Sequence, residues 1–152
     1  FKLKLLNTIL GGYFGSRLMS NLREEKGLTY GINSSLINYD YTSFIVISTT
    51  VKGGSASIAL KEIYNEINKL STQLIENEEL ELVKNYISGS LMRTIDGPFL
   101  IAEQYKLLNH KGRKLVHLEK FNNSIRKITS ENLIECAQNY FKVDSFSEVV
   151  VG

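Results

Sequence analysis

The 152 residues include no tryptophan, one proline, one cysteine and two histidines, and each shortage removes a class of chemistry. With Cys136 alone there is no intrachain disulfide and no cysteine-rich metal site. Its place in the helical pattern NLIECAQNYF makes it a buried, inert thiol. A catalytic zinc usually takes three protein ligands and one water. On one unbroken helix His110 and His117 would stand roughly 10 Å apart along the axis, too far to converge on one ion, and Gly112 interrupts that helix. HLEKF is not HxxEH. Both histidines are read as surface or rim residues, and no metal is assigned.

Charge of one sign is also scarce. Lysine and arginine total 18 against 16 acidic residues, a net +2, with no block of like charge. A dedicated nucleic-acid binder relies on clustered basic residues to neutralise phosphates, so no nucleic-acid partner is expected. No apolar run approaches the roughly 18 residues of a membrane span, so no membrane partner is expected either. A hydrophobic content of 43% over this length supports one core and not two, giving a single domain over residues 1–152. The sequence opens at Phe1 inside a helical pattern, which suggests a domain cut at its N-terminal side. The compartment stays open.

FKLKLLNTILGG places Leu3, Leu6 and Leu10 at helical spacing, with Gly11 and Gly12 as a stop. Ser16 is placed to cap a second helix through RLMSNLREEKG, ending near Gly27. The period then changes: LTYGINSSLI and SFIVISTTV are rich in β-branched and aromatic residues, and NYDYT separates them as a hairpin loop. After Gly53, Gly54 and Ser55, the residues Ala59, Ile63, Ile67 and Leu70 form one helical stripe. A further helix runs from about Glu78 to Ile95 with Leu80, Val83, Ile87 and Leu91 inward, until Asp96-Gly97-Pro98 breaks it and Pro98 starts the next. Helical patterns continue through FLIAEQYKLLNH, LVHLEKFNNSIRKI and TSENLIECAQNYF, the last capped by Thr129 or Ser130. FSEVVV reads as a third strand returning to the sheet. The fold expected is α+β, a two-layer sandwich in which helices cover one face of a small, mostly antiparallel sheet.

Catalytic patterns are missing. Ser88 to Ser90 lie mid-helix, without the strand-to-helix elbow that exposes a nucleophilic serine. Glu24 and Glu25, like Glu78 and Glu79, occupy adjacent helix positions and diverge into solvent. GGYFGSR lacks the Lys-Ser/Thr ending of a phosphate loop. Gly12 and Gly15 do frame a GxxG, which in a KH-like RNA-binding module clamps the nucleic-acid backbone, but Tyr13 and Phe14 supply no cation there.

The stretch LNTILGGYFGSRLMSNLREEKGLTYGINS resembles the second-domain signature of the pitrilysin and mitochondrial-processing-peptidase family of zinc peptidases. The shared pattern is a helix ending in LGG, an aromatic with Gly-Ser-Arg-Leu, and Leu-Arg-Glu-x-x-Gly-Leu-x-Tyr. ELVKNYISGSLMRTID, ITSENLIECAQNYF and SEVVVG extend the likeness along the chain. The resemblance implies an inactive, substrate-binding domain that lacks one or more N-terminal strands of the family fold. It also implies a zinc-bearing homologous domain or subunit as partner, a peptide substrate between the two, and no cofactor on this chain. Arg23 and Tyr30 match the family's substrate-contacting pair, and Gly11, Gly12 and Gly15 are candidate backbone contacts. Chemically, Arg23 can make charge-assisted bonds to peptide carbonyls and Tyr30 can donate to a developing oxyanion. Read without the motif, Arg23 could pair with a helix-surface acid and Tyr30 could pack on the core. Alone the chain is expected to hydrolyse nothing. A structural subunit of the same fold without a role in proteolysis is the alternative. An incomplete sheet would leave an edge through which copies could pair into a homo-oligomer.

Overall fold

The computed structural model describes residues 1–39 and 41–152. Helix α1 (Lys2–Gly11) leads through the Gly12–Ser16 turn into a π-helix, Met19–Glu25. Strands β1 (Thr29–Asn38) and β2 (Ser43–Val51) form an antiparallel hairpin. Helices α2 (Ala56–Thr72), α3 (Asn77–Arg93), α4 (Pro98–His110), α5 (Val116–Arg126) and α6 (Ser130–Tyr140) follow, and a 3-10 turn, Val143–Ser145, precedes the tail. The architecture is α+β, with helices on one face of the hairpin.

The reason lies in two periodicities. Along the hairpin, Ile32, Ser34 and Leu36 pair with Thr49, Ile47 and Ile45 and point to the helices, while Asn33, Ser35 and Ile37 pair with Ser48, Val46 and Phe44 on the other face. In α2 the stripe Ala59, Ile63, Ile67 and Leu70 is buried as its spacing requires, and so are Leu80, Val83 and Ile87 of α3. Leu91 is only half-buried. Helix α1 exceeds its expected stripe: every residue from Leu5 to Gly11 is buried. It is the central element, packed against β1, α2, α3 and α6. A helix buried on all sides needs apolar residues all round, and LLNTIL supplies them apart from Asn7 and Thr8. Asn7 exchanges side-chain and backbone hydrogen bonds with Ser34 of β1, and the Thr8 hydroxyl donates to the Lys4 carbonyl.

Local stops behave as their chemistry dictates. Pro98 opens α4 after Gly97, whose φ of 101° only glycine adopts freely. Gly112, φ 64°, separates α4 from α5. Thr129, rather than Ser130, caps α6, in a reciprocal box with Asn132.

Two expectations fail. FSEVVV is not a strand. Phe146 packs edge-on against Tyr64 of α2, and the Tyr64 hydroxyl donates to Glu148 at 2.6 Å, while Val149, Val150 and Val151 are exposed. Strand propensity is a preference for a pleated, half-buried surface and is realised only beside a ladder partner; here side chains tie the tail to a helix instead. Ser16, expected to cap the second helix, has a buried hydroxyl with no partner among the described residues. The widened turn that follows is held by backbone bonds and by side chains farther along.

Candidate functional site

Arg23 sits in the last turn of the π-helix and Tyr30 is the second residue of β1. Neither is part of the core. Tyr30 is 100% exposed. Arg23 is half-buried with its guanidinium 4.8 Å from the centre of the Phe14 ring, a cation–π contact. Among the described residues no carboxylate pairs with Arg23 within salt-bridge distance.

Each side chain is presented by an irregularity. The π-helix, with its i→i+5 bonds, is a rare form that recurs at functional sites. In the hairpin, Thr29 pairs with Val51 and Ile32 with Thr49, so two residues of β1, Tyr30 and Gly31, oppose only Thr50. Such a bulge bends a strand and re-aims its side chains. Hydroxyls hold this one: Thr49 Oγ1 donates to Thr29 Oγ1 at 2.9 Å, Thr29 Oγ1 donates to the Thr50 carbonyl at 2.7 Å, and the Gly31 N–H donates back to Thr29 Oγ1 at 3.1 Å. The two irregular segments meet where the Ile32 N–H donates to Met19 Sδ of the π-helix at 3.4 Å.

The glycines act through space. None of Gly11, Gly12 and Gly15 has a positive φ. A Cβ at Gly11 would stand 2.7 Å from Ser34 Cβ and 2.8 Å from Ser34 N, and one at Gly12 would stand 2.7 Å from Thr8 Cα. At Gly15 the space belongs to the ring of Tyr13, 2.9 Å away, which stacks obliquely on Tyr86. Burial, then nearby Glu79 and Tyr86, push the Tyr13 phenol above its usual range. Between this turn and β1 runs a groove of about 470 Å³ whose walls include Gly11, Gly12, Phe14, Gly31 and Ser34. Phe14, on which Arg23 rests, and Gly31, next to Tyr30, both line it, whereas Arg23 and Tyr30 themselves lie outside its lining. Gly15 does not line it.

Several partners were not legible as a motif. Arg17, inside the Gly-Ser-Arg-Leu segment, makes a two-pronged bridge to Glu79 at 2.9 and 2.7 Å. Glu79 thus ties the segment just before the π-helix to α3 and is not a solvated face, and its hydrogen bond raises the Arg17 pKa further. Asn21 and Glu66 are buried polar residues bonded to one another. The available signal was Glu66 itself, an acid set between Ile63 and Ile67 on an apolar stripe.

No group of three histidine, cysteine, aspartate or glutamate side chains among the described residues could hold a metal. His110 is exposed, and His117 lies beside Phe1 and Arg113 beyond the Gly112 turn. The donors present do not fit zinc. Cys136 is buried, and burial pushes its thiol pKa up.

Comparison with known proteins gives a consistent picture. A family model described as the peptidase M16 inactive domain matches residues 1–87. YmxG of Bacillus subtilis, named an uncharacterized zinc protease, is 28% identical over 87% of this chain and 35% of its own length. A Helicobacter pylori relative named a non-peptidase homolog is 30% identical over 59% of this chain and 21% of its own. The solved peptidase M16 inactive domain from Pseudomonas fluorescens superposes with a TM-score of 0.80 at 26% identity, covering 94% of this chain and 34% of that one. The chain spans about a third or less of the length of the curated relatives it matches.

Proposed function

This chain belongs to the peptidase M16 inactive-domain family, and from that premise we propose that it is the substrate-holding half of a zinc-dependent peptidase. It closes a peptide chamber against a homologous domain that carries the zinc. The observation that carries this reading is the presentation of Arg23 and Tyr30. A cation free of any carboxylate among the described residues and a fully exposed phenol follow one another across a π-helix and a bulge, beside one groove.

In this arrangement Arg23 donates charge-assisted hydrogen bonds to carbonyls of an extended peptide. Its resting contact with Phe14 limits the rotamers that must be lost on binding. Tyr30 turns its hydroxyl to the scissile carbonyl and donates to the oxygen that gains charge as that carbonyl is attacked. The zinc of the partner domain supplies the activated water. This chain's part is to hold and orient the peptide.

The test is cleavage of an unstructured peptide by the chain assembled with its zinc-bearing partner domain. Tyr30→Phe is expected to lower turnover about 10²- to 10³-fold, the usual loss for one oxyanion donor, and Arg23→Ala to weaken kcat/KM by at least about tenfold. The isolated chain is expected to be inactive. A second reading rests on the Helicobacter pylori relative named a non-peptidase homolog: the same fold kept as a structural subunit. Under that reading both variants cleave, or fail to cleave, as the parent does.

A further inference from the structure

Three local costs meet where one seven-residue turn packs against α2. The π-helix Met19–Glu25 uses the wider i→i+5 bond, as where the Lys26 N–H donates to the Asn21 carbonyl at 3.0 Å. Asn21 is buried within it, and among the described residues its Oδ1 meets no donor, a condition that folded proteins rarely tolerate. Glu66, 4% exposed, sets a carboxylate into the apolar stripe of α2, which is unfavourable unless the charge is paired. An ordinary α-turn with apolar residues at both positions would fill the same space without these costs.

The three are joined. Asn21 Nδ2 donates to Glu66 Oε1 at 2.7 Å and to Glu62 Oε2 at 3.2 Å. Lys69 Nζ reaches Glu66 Oε1 at 2.6 Å, and Lys26 Nζ lies 3.7 Å from Glu62 Oε2. The amide has one acceptable orientation, because turned over it would point Oδ1 at two carboxylates. This network fastens the turn to α2 two residues before Arg23, whose guanidinium lies over Phe14. Local costs gathered where a side chain must be aimed are the mark of a positioning device rather than of a core.

We infer that Asn21 and Glu66 are positioning residues that hold the π-turn against α2 and so aim the Arg23 guanidinium. The inference rests on the proposed substrate role of Arg23 for its functional consequence. Neither residue touches the peptide; both act through the backbone of the turn.

Asn21→Asp sets a third carboxylate against Glu62 and Glu66 and drives the turn off α2. The pair Asn21→Asp with Glu66→Gln restores one amide–carboxylate bond in the reverse sense. Two readouts separate the possibilities. By NMR of this chain, the Arg23 side-chain protons carry a ring-current shift from Phe14. That shift is expected to disappear in Asn21→Asp and to return in the paired variant. In the assembled peptidase, kcat/KM is expected to fall about 10- to 100-fold in Asn21→Asp, to recover in the paired variant, and to fall no further when Asn21→Asp is added to Arg23→Ala. If Asn21→Asp does not fold, Asn21→Ser breaks both bonds without adding charge and gives the same readouts. A ring-current shift that persists without the network overturns the inference whatever cleavage does. A shift that is lost while Arg23→Ala itself leaves cleavage intact supports the aiming of the side chain and overturns the substrate role of Arg23 instead.

Discussion

At the scale of single residues, the Gly-Gly stop and the Arg–Tyr pair could be named because they sit in a long ordered pattern, the role of the pair being a proposal, while the residues packed around them could not be named. Asn21, Glu66 and the Arg17–Glu79 bridge are ordinary helical polar residues until the fold brings distant turns together. Gly11 was expected as a helix stop and a candidate backbone contact, and the neighbour that requires its lack of a side chain was not legible: it faces Ser34, twenty-three residues later. Gly11→Ala pushes a methyl group into the α1–β1 contact, where both elements are fixed by the Asn7–Ser34 bonds. Overpacking of this kind costs about 1–3 kcal/mol. Urea unfolding should therefore show a lower midpoint for Gly11→Ala at an unchanged slope, and an equal midpoint would mean that the contact gives way freely.

Among the elements, the apolar stripes, the hairpin, the Pro98 start and a cap at Thr129 or Ser130, realised at Thr129, are set by neighbouring residues and were correctly expected. The π-helix and the missing third strand were not, because each depends on what lies beside it. FSEVVV has strand composition without a ladder, and RLMSNLREE has helical composition whose winding is set by packing on α2 and β1. The clamp on the π-helix carries a pH dependence. The hydrogen bond from Asn21, assisted by Lys26, holds the Glu62 carboxyl below its ordinary value of 4.5. A carboxyl depressed in the folded state stabilises fully above that value and loses its contribution as pH falls through the folded pKa. Stability measured from pH 6 downward is expected to include a declining component that begins below about pH 4.5 and is missing in Glu62→Gln. Identical acid limbs for the two proteins would remove Glu62 from the clamp.

For the molecule as a whole, the features on which the proposed function draws lie at a surface. The helices gather around α1 and leave the far face of the hairpin, with Phe44 and Val46, open. Helix α4 buries none of its residues despite Phe99, Tyr105 and Leu107. Among the described residues the outer edge of β2 has no ladder partner, a condition proteins usually cover. The relatives place a domain of this kind within chains about three times as long. The α+β class was readable from the change of period near Leu28, and the two-stranded extent of the sheet was not, since strand pairing is decided by partners rather than by composition. The most direct measurement is hydroxyl-radical footprinting of Tyr30 with the zinc-bearing domain bound, with and without an uncleavable peptide. Tyr30, fully exposed in this chain, is predicted to stay reactive without peptide and to be protected by it. Equal reactivity in both conditions would contradict a peptide-facing role for this surface.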